Sequence, residues 1–352
     1  MTPRPVGPAP VLLALALVAP VGGPAPPPAA ATRPASVVQL GDSVASGEGT
    51  LYGYRFDPAS RRWTDGNVFV TWPGPYPGCH DSPAAYGYAV ARRLGGRFVT
   101  FACSGASYRN GIVAPQVRTD LLGTTTLRPA QFGAWPSGPD LNAAYDAARP
   151  DLVLVTLGAD DVEFSPVVRD CAENGLAHRL GVEPLRCTAA NPGSTITADV
   201  MSNLPELGPH LVALAQAVRA RGRGAGRVPA VVFTLYHSPF PTGARRCPDV
   251  TLLDPAQVAY LRSLLGTLNR TIRAALAGQP GVAVADTSRA MTGPDGRDHR
   301  WCGADPWAYG LSILSPAEPT SLLSDAPFHP TPAGQARFAA LVTPVARRAL
   351  GR

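Results

Sequence analysis

The stretch 37-VVQLGDSVASGEG-49 opens with a short apolar run that does not alternate with polar residues, the pattern of a strand buried on both faces. The run stops on Gly41-Asp42-Ser43 and continues through two further glycines, Gly47 and Gly49. A buried strand that ends on a hydroxyl and keeps its backbone permissive makes a plain tight turn or presents the serine to something. What the rest of the chain supplies decides between the two.

Four more runs of the same kind follow: 97-RFVTFAC-103, 151-DLVLVTLG-158, 229-PAVVFTLY-236 and 281-GVAVAD-286. Helical periodicity fills most of the intervals, over 83–94, 139–150, 196–221 and 255–278, and a last helix is expected over 332–350. Strands alternating with helices predict an α/β protein with a central parallel sheet of about five strands covered on both sides. No repeat or linker divides the chain, so residues 36–352 are expected to form a single domain. Four stretches rich in turn-forming residues, 50–80, 108–138, 159–194 and 287–325, are expected to be loop insertions. Trp63, Trp72 and Tyr76 in the first of them suit the wall of a cleft.

Composition bounds the partners. The 352 residues are 45% hydrophobic and 16% charged, with 39 Pro and 36 Gly, as in a globular protein with long irregular loops. The net charge is +6, and every basic side chain is Arg. These arginines are scattered, and their densest cluster, 219-RARGRGAGR-227, reads as an exposed helix end, so no nucleic-acid partner is expected.

The N-terminus reads as an export address. Arg4 precedes the apolar run 11-VLLALALVA-19 and a small-residue tail, 24-PAPPPAAATRP-34. Nine apolar residues are too few to span a bilayer, so residues 1–31 are expected to be a signal peptide and the mature protein to be secreted, with no integral membrane span. Six cysteines, an even count, fit an oxidising destination and three disulfides. Of fifteen connectivities, Cys79–Cys103, Cys171–Cys187 and Cys247–Cys302 closes the shortest loops. No C-x-x-C pair or other ligand cluster suggests a metal.

In open α/β sheets, ligands bind outside the carboxyl ends of the strands. Here those ends carry Gly41-Asp42-Ser43, Cys103-Ser104-Gly105 and Gly158-Ala159-Asp160-Asp161, while 325-DAPFHPTPAG-334 puts His329 just before the last helix. With these four blocks in this order, the sequence resembles the GDSL-type members of the SGNH hydrolase superfamily, secreted esterases and lipases with a flavodoxin-like three-layer α/β/α fold. The resemblance runs from about residue 36 to the end, and no G-x-S-x-G elbow competes with it. It implies Ser43 as nucleophile and His329 as general base, then acid. The backbone N–H groups of Ser43 and Gly105 become two arms of an oxyanion hole, Gly105 because close backbone approach tolerates no side chain. Asp42 is expected to hold the loop, and His237 to be structural. The alternative for Ser43 is a hydroxyl capping the helix that follows. The resemblance implies no cofactor, a small-molecule or lipid ester as substrate, and a monomer.

Two positions depart from the family pattern. The third oxyanion arm is there an Asn amide, and here Asp160. An ionised carboxylate donates no hydrogen bond and repels a charge about 3 Å away by roughly 5 kcal/mol at an effective dielectric near 20. Asp160 therefore donates as a neutral acid, or the site is weakened, or the loop is shifted and another donor serves. The acid that orients the histidine normally lies three residues before it, where this chain has Ala326. Asp325, one residue further back, or the Ala326 carbonyl then orients the ring, and a Ser–His dyad results in the latter case. Two function classes follow: a secreted serine esterase or lipase, favoured by Ser43 and His329, and a catalytically weakened domain that binds lipid or glycan at the cell surface, favoured by Asp160.

Overall fold

In the computed structural model, the described residues are 1, 33–51, 53, 55–57, 62–64, 77–119, 125–132, 141–192, 195–242, 253–310 and 327–352. The expected signal peptide beyond its first residue, Trp72, Tyr76, Cys247 and Asp325 lie outside them, as does the side chain of Trp63.

Nine strands and seven helices are described: β1 (Ser36–Gly41), α1 (Ser43–Ser46), β2 (Arg55–Asp57), β3 (Arg62–Thr64), α2 (Tyr86–Arg93), β4 (Arg97–Thr100), β5 (Gln116–Thr119), β6 (Thr125–Arg128), α3 (Asn142–Ala148), β7 (Leu152–Thr156), α4 (Phe164–Arg179), α5 (Thr195–Gly224), β8 (Ala230–Thr234), α6 (Pro255–Leu276), β9 (Val282–Ala285) and α7 (Pro332–Ala349). The five strands expected from the apolar runs form one parallel sheet in the order β4-β1-β7-β8-β9. The first strand therefore lies inside the sheet, between the second and third of the five, which is the doubly wound order with its switch point beside β1. Helices flank the sheet: α2 packs with α7, and α5 with α6. Two antiparallel hairpins, β2–β3 and β5–β6, stand outside it. Residues Pro34–Arg352 form a compact unit.

All six residues of β1 are buried, as a central strand requires. It ends at Gly41 because no larger residue fits: a Cβ there would lie 2.1 Å from the carbonyl oxygen of Thr156 on β7, and φ is +138°. The side-chain amide of Gln131 donates to the Gly41 carbonyl and accepts its N–H, both at 2.8 Å. The strand end that carries the serine is thus pinned from both sides.

The covering helices follow their apolar periodicity. On α6, capped by Asp254 with Gln257 completing the capping box, the buried stripe is Val258, Leu261, Leu265, Leu268, Ile272 and Leu276. Truncating a fully buried member such as Leu261 to Ala would cost about 2–5 kcal/mol. On α7, Thr331 caps, Pro332 occupies the first turn, and Phe338, Val342 and Ala346 recur every fourth residue on the buried face.

One expectation is corrected. The stretch 159–194 is not simply a loop insertion, since α4 occupies sixteen of its residues. Its start carries no side-chain cap, and Glu163 before it is in the left-handed region with φ 56°. The usual start signals are absent, and tertiary packing of Val167, Val168, Cys171 and Ala172 makes the helix.

Two of the three expected disulfides are present. Cys79 bridges Cys103, and Cys171 bridges Cys187. Cys302 is also disulfide-bonded. No described helix is long and apolar enough to cross a membrane.

Candidate active site

Ser43 is the first residue of α1, and the capping role that would make its hydroxyl structural is taken by its neighbour. The Asp42 carboxylate accepts the N–H of Val44 at 3.0 Å and caps the helix. The Ser43 hydroxyl faces His329 instead, with Oγ 2.7 Å from Nε2. That places a hydroxyl within hydrogen-bonding distance of an imidazole 286 residues away in sequence.

The rest of Asp42 locks three strand ends together. Its second oxygen accepts the hydroxyl of Tyr236, which follows β8, and that phenol oxygen accepts the N–H of Ala159, which follows β7, at 2.9 Å. Burial pushes the Asp42 carboxyl up to about 7, against the downward pull of its bonds from Tyr236 and Val44.

His329 sits in a segment held from two sides. Its carbonyl accepts the Tyr309 N–H at 2.9 Å, and Phe328 N–H donates to the Tyr309 carbonyl at 3.1 Å. His237 donates from Nε2 to the Phe328 carbonyl at 2.8 Å. Burial pushes the His237 ring down to about 4, against the Phe328 bond, so it is a neutral prop near pH 7. Phe328 has φ +66°, an uncommon backbone state for a bulky residue, fixed here by these contacts.

Ser43, His329, Gly105 and Asp160 all line one cavity of about 680 Å³. Gly105 has φ +75°, is exposed, and its N–H has no partner among the described residues. Ser43 N–H, at the first helical position, has no intrahelical partner either. The Asp160 carboxyl is raised well above the usual range, first by burial, then by the charges of Asp42 and Asp161, with Arg118 opposing. Among the described residues no group of three His, Cys, Asp or Glu side chains is placed to hold a metal ion.

The cavity continues along α4. Phe164, Val168, Ala172 and Leu176, spaced by four, form an apolar wall, while Ser165, Arg169 and Glu173 form a polar one beside it. Gln116, Val117, Arg118 and Thr119 of β5 line the same cavity.

The sequence reading does not single out Glu48. Between Gly47 and Gly49 it reads as part of an exposed turn, yet it is fully buried, and its carboxylate accepts from His80 Nδ1 at 2.5 Å and from the Ser104 hydroxyl. The signal is indirect: the expected Cys79–Cys103 bridge brings His80 and Ser104, their chain neighbours, to the same place.

A model of the GDSL-like lipase/acylhydrolase family matches residues 40–337, and the chain belongs to that family. Among solved structures it is similar to a phospholipase A1 from Streptomyces albidoflavus NA297, at 22% identity and a TM-score of 0.53 over 89% of this chain and 98% of that one. It is also similar to an extracellular lipase from Streptomyces rimosus, at 20% identity and a TM-score of 0.51 over 89% of this chain and 98% of that one. Both share the fold. No curated protein matches the chain.

Proposed function

We propose that this protein is a secreted serine esterase or lipase that cleaves carboxylic esters through an acyl-enzyme on Ser43. The observation that carries the proposal is the 2.7 Å contact between Ser43 Oγ and His329 Nε2 at the wall of the cavity. His329 takes the hydroxyl proton as Oγ attacks the ester carbonyl. The resulting oxyanion is received by the N–H groups of Ser43 and Gly105 and by Asp160, acting as a neutral acid that donates O–H. Collapse expels the alcohol, which takes the proton from His329. Water, deprotonated by the same ring, then releases the carboxylic acid and restores the serine. Asp325 and the Ala326 carbonyl, both outside the described residues, stay the two candidates for orienting His329.

The raised Asp160 carboxyl supports the enzyme over the weakened binding domain, because the substitution that set the two apart keeps a donor when protonated. The apolar wall of α4 supports an acyl chain of several carbons, each buried methylene contributing about 0.8 kcal/mol. The apolar run at 11–19 and the paired cysteines support secretion. Hydrolysis of a series of p-nitrophenyl esters of increasing chain length, beside Ser43→Ala, tests the proposal. Activity in that variant equal to wild type would refute it.

A further inference from the structure

The acyl-transfer steps make no use of Glu48, although it lies five residues after the serine and lines the same cavity. Its backbone N–H donates to the Ser43 carbonyl at 3.0 Å, so it is attached to the nucleophile's own turn. Its carboxylate reaches the second strand's exit: Oε2 accepts from His80 Nδ1 and Ser104 Oγ, and Oε1 accepts the Gly49 N–H at 3.1 Å. His80 follows Cys79, Ser104 follows Cys103, and those cysteines are bridged. Carboxylate, imidazole, disulfide and hydroxyl therefore close a ring, and Gly105 is the next residue beyond it.

We propose that Glu48 is a positioning residue of this site: its carboxylate fixes the Gly105 loop against the serine turn and holds a permanent negative charge behind the Ser43–His329 pair. Burial opposes that charge, but the His80 ring first, then the nearby His329 and the Ser104 hydroxyl, outweigh it and bring the carboxyl down to about 2. The negative charge favours the imidazolium that His329 becomes when it takes the serine proton, which is the state acyl transfer must stabilise. The inference rests on the serine-hydrolase reading above. Other groups facing this pair are the His80 ring, neutral His237, the raised carboxyls of Asp42, Asp160 and Asp161, and Arg118 beside Asp160.

Two variants displace the charge in opposite senses and leave those other groups in place. Glu48→Gln keeps an acceptor for His80 and Ser104 but removes the negative charge. His80→Gln keeps an N–H donor to Glu48 but removes the ring that offsets the carboxylate's charge. In Glu48→Gln the acid limb of kcat/KM should move down by about half to one pH unit, with kcat falling roughly 10- to 100-fold and KM changing less than about twofold. In His80→Gln the same limb should move up. NMR titration of the His329 ring in both variants reads the same displacements without turnover, and His80→Gln alone decides the matter if Glu48→Gln does not fold. Opposite displacements support the proposal; unchanged titrations, or two in the same direction, overturn it. A wild type that hydrolyses no ester would sink the serine-hydrolase reading alone, since the ring titrations still judge the role of Glu48.

Discussion

On the proposed mechanism, Asp160→Asn changes one atom and separates a pH-dependent oxyanion donor from a permanent one. In the wild type, burial and the neighbouring charges of Asp42 and Asp161 hold the Asp160 carboxyl protonated well above the usual range. While protonated, it donates as an amide would. Once pH passes its raised value, the donor is lost and a negative charge replaces it at the oxyanion's edge. Losing one oxyanion donor costs about 10²- to 10³-fold in rate, about 3–4 kcal/mol. Repulsion between two charges about 3 Å apart adds up to roughly 5 kcal/mol at an effective dielectric near 20. The wild type should therefore show a bell, rising as His329 loses its proton and falling as Asp160 loses its own. The Asn variant should rise on the same acid limb and then stay level. In the lower part of the range the two should agree within about threefold, and on the alkaline side the variant should lead by two orders of magnitude or more. Measuring kcat from pH 5 to pH 10 for both proteins on one soluble ester decides it. Superimposable alkaline limbs would mean that Asp160 does not face the oxyanion.

Ser43→Ala and His329→Ala should each abolish turnover without lowering Tm, and the double variant should be little slower than either, because the pair acts as a unit; additive losses would separate their roles. Ala172→Trp, in the middle of the apolar wall of α4, should lower kcat/KM at least tenfold for eight-carbon esters and leave acetates within about twofold; an equal loss on both would remove α4 from the acyl site. Titration of thiols in the denatured, unreduced protein should give none, and Cys79→Ala with Cys103→Ala should cost about 3 kcal/mol in denaturant unfolding, from a bridge separation of 24 residues. Glu48 has a folded value of about 2 against 4.5 in a free chain, so its contribution, about 3 kcal/mol, is whole above pH 4.5 and is lost as pH falls through 2. Stability measured from pH 5 to pH 2 should fall less steeply in Glu48→Gln; parallel curves would contradict this.

The elements with strong local signals are legible in the sequence itself. Five continuous apolar runs mark the five parallel strands because a strand buried on both faces has no polar side to interrupt it. Asp254, Thr331 and the prolines after them mark the starts of α6 and α7. The helix α4 escapes a local reading because its cap is absent and the residue before it stands in the left-handed region. The serine, the histidine and the two strand-end loops that meet at the cavity are visible as motifs, but Glu48 is not. Its burial depends on His80 and Ser104, 32 and 56 residues further on, and a local pattern of glycines around a charge reads as solvent-exposed. Tyr236 likewise looks like the end of an apolar run, and its phenol acquires a function only where three strand ends converge.

The placement of β1 has a consequence for how the site comes into being. The strand that delivers the serine is made first, yet it lies between β4 and β7 and can be satisfied only after both have been synthesised. The histidine arrives with the last helix, whose buried Phe338, Val342 and Ala346 complete the packing on α2. Contacts of such long sequence separation close late and slowly during folding. A growing or C-terminally clipped chain therefore lacks His329 and part of its core at the same moment. Truncation before residue 327 should yield an aggregation-prone chain with exposed apolar surface rather than a folded, inactive protein, so completeness of the chain and competence of the site are tested by one event.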